Sequence, residues 1–339
     1  MSDLNINNIT DRTGDSGPVI AGVSTVTSTG AFTVPVGPTE MRGGRGRGVF
    51  AGGNTVPANS KTMDYIEIAT TGNGIDFGDI SSAKVYVTGS ASATRGIIAS
   101  GYIAPTGNND IDAVTISSKG GSLGDFGNLV NILYSATGLS DSVRGFVVGG
   151  DISPNGNVNV IQYVTIASLG DATDFGDMTE PKRSTYTCAS PTRGIVAGGY
   201  NHPADVQIIE KFTMATRGNA TQFGNLITTI RDGVGVSNST RGIFAGGTTG
   251  TNTNVIQYIT IATDGDATDF GDLSSARYSL GGCASSTRGV FAGGFLSPAE
   301  YNTMEYVTIA STGNSTDFGD LTDAKYGLAG FSDVHGGLG

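Results

Sequence analysis

Six arginines recur at nearly equal spacing and form the pattern that most readily suggests chemistry. Each begins a segment in which Gly, a short apolar run and a further Gly follow, as in RGVFAGG, and successive copies lie 47 to 49 residues apart. The six positions are Arg47, Arg95, Arg144, Arg193, Arg241 and Arg288. A ring of guanidinium groups around one opening would bind an anion. Acidic segments such as 264–269 recur in step with the arginines, so we expect Arg–Asp ion pairs between turns and a structural role instead.

The acidic segments themselves suggest a second kind of chemistry, the binding of a hard cation. A calcium ion needs several oxygen ligands at close range. Only the fifth copy offers three aspartates within six residues, Asp264, Asp266 and Asp269, and no Glu follows where a calcium loop of the EF-hand type needs one. Asp and Asn also stabilise turns by bonding to nearby backbone. We therefore expect turn formation and no metal site, while the sequence leaves calcium binding open.

Few other residues are candidates for catalysis. His202 and His335 lie far apart in the repeat and the tail, while Cys188 and Cys283 occupy equivalent positions two copies apart, where we expect them to pack as small apolar side chains. No nucleophile elbow, zinc-protease motif or phosphate-binding loop is present. The sequence leaves open a pair of carboxylates at the separation found in glycosidases. Acidic residues that recur in every repeat, however, indicate a structural role more than a single active site. The sequence predicts a protein that is not an enzyme and has no cofactor.

Composition limits the possible partners. The formal net charge of −11 disfavours a protein that binds nucleic acid through its phosphates. Gly accounts for 54 of the 339 residues, yet 37% of the residues are hydrophobic, which is enough to build a core. No apolar run is long enough for a transmembrane helix, and the N-terminus shows no signal-peptide core. We expect no nucleic-acid partner and no membrane insertion.

A second anchor keeps step with the arginines and indicates that most of the chain is built from repeats. It is a phenylalanine followed by Gly and Asp or Asn, at Phe77, Phe126, Phe175, Phe223, Phe270 and Phe318. Each unit of about 48 residues reads as four short strands, for example Gly242–Gly247, Val255–Ala262, Ala267–Leu273 and Arg277–Ala284. No segment shows helical periodicity. The pattern predicts an all-β, six-bladed β-propeller over residues 41–339, with the phenylalanines in its core.

The ends of the repeat predict how the ring closes. The first copy begins at Arg47 without a preceding small-residue strand, and a spare strand of this kind follows the sixth copy at Lys325–Ser332. Pairing the last strand into the first blade would hide both open edges, which otherwise invite aggregation. We therefore expect the C-terminal strand to be the innermost strand of blade one.

These units resemble the kelch repeat, in which Gly-Gly after an apolar strand is followed by Tyr and later by another aromatic residue. The tyrosines of the pattern are Tyr65, Tyr163, Tyr258 and Tyr306. Basic residues before the small-residue strand also match the kelch pattern: Lys84, Arg183, Arg231, Arg277 and Lys325. Ala113 and Lys211 replace tyrosine in two copies, and Phe replaces the usual Trp in all six. The resemblance implies a propeller fold, but propellers host many functions.

Residues 1–40 lie outside the repeat, and we expect an anchoring arm with a short β-hairpin over Val19–Val26 and Gly30–Val34. So few large apolar side chains cannot hold a separate core. The stretch NITDRTGDSGPVIAGVSTVTSTGAFTVPVG resembles the N-terminal segment of structural proteins of marine, cyanophage-like bacteriophages. This resemblance implies a virion protein, made in the host cytoplasm and attached by the arm to other virion proteins. We expect a homotrimer or homohexamer.

The loops that follow Gly-Gly differ in every copy and lie, in a propeller, on the face opposite the arginines. Variable loops on a rigid scaffold are the usual place for binding. Their ring-bearing side chains are Tyr102, Tyr200, His202, Phe295 and Tyr301. We expect these residues to contact a host surface glycan or protein, as part of a phage tail fibre or similar appendage. A purely structural tail, baseplate or head-decoration role and a propeller-type glycan hydrolase are the alternatives.

Overall fold

Every regular element in the described part of the chain is a β-strand. The structure is a computed structural model that describes residues 46–152 and 154–334. The predicted arm over residues 1–40, with its hairpin, and His335 lie outside the described residues. Within those ranges no helix is long and apolar enough to cross a membrane.

The first three blades follow one another along the chain. Blade one contains β1 (Arg47–Ala51), β2 (Thr62–Glu67) and β3 (Ile75–Asp79). Blade two contains β4 (Thr88–Ala91), β5 (Arg95–Ala99), β6 (Tyr102–Ile103), β7 (Thr106–Thr115) and β8 (Asp125–Leu133). Blade three contains β9 (Thr137–Ser140), β10 (Arg144–Val148), β11 (Asp151–Ile152), β12 (Gly156–Asn157), β13 (Val160–Thr165) and β14 (Thr173–Asp177).

The other three blades repeat the same order of strands. Blade four contains β15 (Tyr186–Ala189), β16 (Arg193–Ala197), β17 (Tyr200–Asn201), β18 (Ala204–Asp205), β19 (Ile208–Thr213) and β20 (Thr221–Asn225). Blade five contains β21 (Val234–Ser237), β22 (Arg241–Ala245), β23 (Val255–Thr260) and β24 (Thr268–Asp272). Blade six contains β25 (Gly281–Ala284), β26 (Arg288–Ala292), β27 (Phe295–Leu296), β28 (Ala299–Glu300), β29 (Thr303–Thr308) and β30 (Thr316–Asp320).

The last strand, β31 (Ala329–Ser332), closes the ring. It pairs antiparallel with β1, so that Ser332 lies opposite Gly48 and Ala329 lies opposite Ala51. The carboxylate of Asp333 then accepts a hydrogen bond of 2.8 Å from the backbone N–H of Arg47. Blade one therefore has the order β3-β2-β1-β31, and the innermost strands of all six blades contact their neighbours around one axis. The predicted six-bladed propeller, closed by its C-terminal strand, is confirmed.

The innermost strands are rich in small residues because their backbones converge on the axis. A Cβ atom added to Gly330 would lie 2.3 Å from the carbonyl oxygen of Gly282, and one added to Gly235 would lie 2.2 Å from that of Thr187. Real Cβ contacts are never so short. Glycine is therefore required for close approach of these neighbouring strands.

The core is divided into six apolar clusters, each built from residues of neighbouring blades. Each anchoring phenylalanine lies in one of them and is at most 4% exposed. Phe77 of blade one, for example, shares a cluster with Val114 and Ile116 of blade two. These phenylalanines therefore contribute apolar burial to the contacts between blades, which is the dominant favourable term in folding.

The outer edge of each blade is covered by a loop of the next blade. Between blades two and three, Gly170 and Ala172 of blade three donate backbone hydrogen bonds of 2.9 and 2.8 Å to Phe126 and Asn128 of blade two. Asp171 lies between them and accepts a bond of 2.9 Å from the N–H of Asn128. The glycine donors at the six interfaces are Gly72, Gly120, Gly170, Gly218, Gly265 and Gly313. The recurring Asp and Asn residues thus cover sheet edges, which would otherwise be open to pairing with other chains.

Buried ion pairs lie at four of the six interfaces between neighbouring blades. In each pair, a basic residue that follows the outer strand of one blade meets an acidic residue in the adjacent blade. The pairs are Lys84–Asp112, Lys182–Glu210, Arg277–Glu305 and Lys325–Asp64. All eight side chains are at most 4% exposed. Arg183 and Arg231, which the kelch pattern groups with these basic residues, do not belong to the buried pairs. Both are about 30% exposed, and they form ion pairs with Asp151 and Asp205.

The other two interfaces are neutral at the equivalent positions. An apolar residue replaces the cation and a glutamine replaces the acid: Leu133 with Gln162, and Ile230 with Gln257. Each glutamine side-chain oxygen still accepts a backbone hydrogen bond from the preceding blade, at 2.8 Å for Gln162 and 2.9 Å for Gln257. Burying one unpaired charge is costly, so the two charges are present together or absent together.

Removal of the closing strand is expected to abolish cooperative folding. A chain truncated after Asp320 lacks β31 and Lys325, so β1 has an open edge and Asp64 is buried without its cation. A chain truncated after Val334 keeps both features and is the control. Urea unfolding followed by circular dichroism should give one cooperative transition for the control only. A transition of the shorter chain that matches the control would contradict closure by the last strand.

The comparison of charged and neutral interfaces predicts that two substitutions at one interface have non-additive effects on the free energy of unfolding. Lys182→Leu and Glu210→Gln should each destabilise the fold by about 3–5 kcal/mol, because each leaves one charge buried without its partner. The double variant reproduces the neutral pair Leu133–Gln162, so it should lie much closer to the wild type than the sum of the single changes. The free energy of unfolding in urea measures all four proteins. Additive losses would show that the pair is not coupled.

Candidate functional site

The six repeat arginines bind the neighbouring blade. Each Nη1 atom donates a hydrogen bond to a backbone carbonyl of the next blade around the ring. The acceptors, in order from Arg47, are Ile116, Ile166, Met214, Ile261, Ile309 and Ile68. The last bond joins blade six to blade one, so the arginines form a closed set of contacts between blades.

The expected Arg–Asp pairing is not what holds these arginines. Among the described residues, only Arg193 has an aspartate ion-pair partner, Asp264 at 3.5 Å, while Arg47 pairs with Glu67 at 3.4 Å. Four of the guanidinium groups instead lie over a tyrosine ring of their own blade, at 4.4–5.4 Å from the centroid. The rings are Tyr65, Tyr163, Tyr258 and Tyr306. Among the described residues the expected Arg–Asp pair is therefore found at Arg193 and not at the other five arginines, where carbonyls and rings, which do not appear as charges in the sequence, are the nearer partners.

The opposite face carries the variable loops, and we call it the mouth. In each blade an isolated β-bridge here joins a residue just before the innermost strand to a residue just after the Gly-Gly segment, which is Ser100-Gly101 in blade two. The bridged pairs are Val85–Tyr102, Tyr134–Asp151, Arg183–Tyr200, Arg231–Thr248, Tyr278–Phe295 and Tyr326–Asn54. Most of these side chains are aromatic or basic, and all the aromatic and basic ones among them are partly exposed.

A second ring of residues lies next to these bridges, where the chain turns towards the axis. All six have positive φ, between 52° and 65°: Tyr86, Ser135, Ser184, Asp232, Ser279 and Gly327. Five backbone hydrogen bonds of 2.6–3.0 Å link them in sequence around the ring. Only glycine adopts this conformation readily, so five non-glycine residues here store backbone strain, which is a common feature of functional sites.

Four rings of the mouth form a continuous series, which we call the aromatic arc: Tyr278, Phe295, Tyr326 and Tyr86. Neighbouring centroids are 5.7, 5.3 and 6.1 Å apart, and successive ring planes are inclined by 60–68°. These are ordinary edge-to-face distances between aromatic side chains. The rings therefore hold one another in place while each remains partly exposed.

The other half of the mouth is built around Tyr200. Two guanidinium groups lie close to its ring, with Arg183 at 5.2 Å and Arg231 at 4.8 Å from the centroid. Each arginine also pairs with a carboxylate, Asp151 at 2.7 Å and Asp205 at 2.5 Å. This half of the mouth therefore carries paired charges and little free positive charge.

The structure places four of the five predicted loop residues together at the mouth. Tyr102 contacts Tyr134, with centroids 5.5 Å apart, Tyr200 shares a hydrogen bond of 3.0 Å with His202, and Phe295 belongs to the aromatic arc. Tyr301 differs, because it covers the buried guanidinium of Arg277 at 5.6 Å. Its contacts therefore stabilise an interface between blades.

Sequence reasoning missed several residues of the mouth: Tyr86, Tyr134, Tyr278, Tyr326, Arg183 and Arg231. They lie in the turn that precedes each innermost strand. In the sequence, Arg183 and Arg231 stand out only as basic residues of the kelch pattern. Tyr278 and Tyr326 fall within predicted strands. A signal was present, because an aromatic or basic residue stands at this turn in every copy. Aligning the turns KVY, LYS, KRS, IRD, RYS and KYG would have found it.

Burial changes the acid–base behaviour of the mouth. It raises the pKa of Asp232 above the ordinary carboxyl value, although the Ser184 hydroxyl and Arg231 favour the ionised form. Burial also raises the pKa of the three arc tyrosines. Asp232 adds to this effect at Tyr86 and Tyr278, and Glu300 adds to it at Tyr326. The negative charges of Asp232 and Glu300 therefore act on the hydroxyl groups of these tyrosines.

The mouth leads into a narrow channel along the axis. Its walls are the innermost strands, and the cavities within it measure about 100 Å³ near the mouth and about 60 Å³ beyond. Cys188 and Cys283 line the second cavity as free, buried thiols, and burial raises the pKa of both. In the described part of the chain, no group of three or more His, Cys, Asp or Glu residues could hold a metal ion.

The fold defines the class of this protein, a six-bladed β-propeller. Comparison with models of known protein families finds no match, and comparison with curated proteins finds no similar sequence. The fold and the mouth are therefore the basis for assigning a function.

The buried tyrosine Tyr186 predicts how stability responds to alkaline pH. Burial holds its pKa well above the ordinary value, and its hydroxyl donates a bond of 2.7 Å to Gly246. Because the pKa is raised in the folded state, the stabilisation is present below pH about 10 and is lost as the pH rises further. The free energy of unfolding should fall with pH above about 10, and less steeply, by about one proton, in Tyr186→Phe. Identical slopes for the two proteins would contradict this assignment.

Proposed function

We propose that this chain is a non-enzymatic binding protein, and that its propeller presents the mouth to a ligand on a host cell surface. In this proposal it is a component of a bacteriophage virion, such as a tail fibre or similar appendage. The propeller supplies a rigid scaffold, and the variable loops with the turns beside them supply the contacts.

One observation carries the proposal, the different make-up of the two faces. The arginine face repeats the same side chains, an arginine in every blade with a tyrosine ring beside it in four of them. At the mouth the rings and guanidinium groups differ from blade to blade, contact one another and stay partly exposed. Tyr and Arg are enriched at binding hot spots, since they provide large contact area and directed hydrogen bonds. Preorganised side chains also lose little conformational entropy on binding.

The virion setting is supported by resemblance. The repeats resemble kelch repeats, and residues 1–40 with the RGxFAGG segments resemble structural proteins of marine bacteriophages. In this proposal the arm attaches the protein to other virion proteins and the mouth faces outward. Assembly as a trimer or hexamer would present several mouths together, so that weak single contacts combine into strong attachment.

The proposal predicts adsorption that depends on the mouth. The full-length protein should bind cells in a panel of marine bacteria that includes cyanobacteria. The triple variant Tyr102→Ala, Tyr200→Ala and Phe295→Ala should bind at least tenfold more weakly, because hot-spot truncations cost about 2 kcal/mol or more. Its stability should fall somewhat, because all three rings are half-buried and contact other rings or guanidinium groups, so adsorption is compared at a temperature at which circular dichroism shows both proteins folded. Flow cytometry with labelled protein measures the adsorption.

The matched control changes exposed apolar residues outside the mouth, Val143→Ala and Leu169→Ala. It should adsorb like the wild type. Equal adsorption by the triple variant would remove the mouth from the proposal. Failure of the wild type to adsorb to any cell would favour a purely structural role, and release of soluble sugars from the cells would show a hydrolase.

A further inference from the structure

The aromatic arc is suited to a particular class of ligand, because aromatic rings attract cations in addition to binding apolar groups. An aromatic ring carries partial negative charge on its face and positive charge at its edge. A cation within about 6 Å of a ring centroid is therefore attracted, most strongly where several rings are close together. Neighbouring centroids in the arc are only 5.3–6.1 Å apart, so a cation over one ring lies near the next.

Carboxylates reinforce this preference. Glu300 lies directly opposite Phe295 in the short β27–β28 hairpin and has no ion-pair partner among the described residues. Asp232 lies in the inner ring of the mouth, with Arg231 at 3.3 Å. Both raise the pKa of arc tyrosines after the larger effect of burial, which indicates that their negative charge reaches the rings.

The balance of charge at the mouth disfavours an anionic ligand. Its two arginines, Arg183 and Arg231, are matched by Asp151 and Asp205. Asp232 is a second partner of Arg231 at 3.3 Å and Glu300 has no ion-pair partner among the described residues, so these four carboxylates face two guanidinium groups when all are ionised. The whole chain has a formal net charge of −11, which also attracts cations and repels anions at long range.

We infer that the aromatic arc, with Glu300 beside it, binds a compact organic cation of the quaternary ammonium class. The ammonium group would lie against the faces of Phe295 and Tyr326, while Glu300 supplies the opposite charge. This inference rests on the proposed function in that it names a ligand class for the same mouth.

The test compares two ligands of nearly equal shape. Choline carries the cation, and 3,3-dimethyl-1-butanol is its uncharged isostere. Calorimetric titration of the full-length protein should show choline binding at least tenfold more tightly than the isostere. Phosphocholine should bind more weakly than choline, because its phosphate meets the excess of carboxylates. Tighter binding of phosphocholine would point instead to a phosphocholine headgroup and would overturn the charge argument.

Three variants locate the site. Phe295→Leu keeps an apolar side chain but removes the ring, and should weaken choline binding about tenfold. Glu300→Gln should weaken choline binding several-fold and reduce its dependence on salt, without affecting the isostere. Tyr258→Leu makes the matched aromatic change on the arginine face and should leave choline binding unchanged. Circular dichroism confirms that each variant is folded.

The outcomes separate this inference from the proposed function. Absence of choline binding, equal binding of the isostere, or no effect of Phe295→Leu overturns the inference. If the wild type still adsorbs to cells in that case, the proposed function stands with a different ligand. If choline binds as expected but no cell is bound, the ammonium site stands and the proposed function fails.

Discussion

The structure depends on the convergence of six strands on one axis. At that axis the backbones are so close that a Cβ atom on Gly330 or Gly235 would overlap a neighbouring carbonyl. Small residues are therefore required in every innermost strand, and the six blades can close only if the last strand of the chain fills the remaining place beside β1. Pairing with β31 covers the free edge of β1, and the outer edge of each blade is covered by a loop of the adjacent blade.

The interfaces between blades show how charge is handled inside such a ring. Four interfaces contain a buried ion pair and two contain an apolar residue with glutamine, so that neither kind leaves a charge alone. The acceptor oxygen is present in both kinds, because the turn of the preceding blade needs a hydrogen bond in each. A charged residue placed opposite a neutral one at such an interface would leave an unpaired charge in the core.

The two faces of the propeller have different physical tasks. On the arginine face, the cationic side chains complete backbone hydrogen bonding between blades and lie on tyrosine rings, so little of their chemistry remains for a ligand. At the mouth, left-handed turns direct the chain towards the axis and leave rings partly exposed around a channel too narrow for large side chains. The arginine face repeats one set of side chains and the mouth presents a different set in each blade, so the mouth is the face proposed for binding.

The amino-acid sequence by itself determined the all-β class, the number of blades and the closing strand, because these follow from two anchors that recur at a fixed interval and from one spare strand. It also showed that the loops around Tyr200 and Phe295 vary between copies, because departures from a repeat can be found by comparing the copies in the sequence alone. Only the tertiary structure decided the partners of the repeat arginines, the structural role of Tyr301, and the joining of Tyr86, Tyr326 and Phe295 into one arc. These contacts join different blades or depend on which side chains the ring brings to the axis. A repeat pattern shows that such residues recur, but their distances are set only when the six blades close.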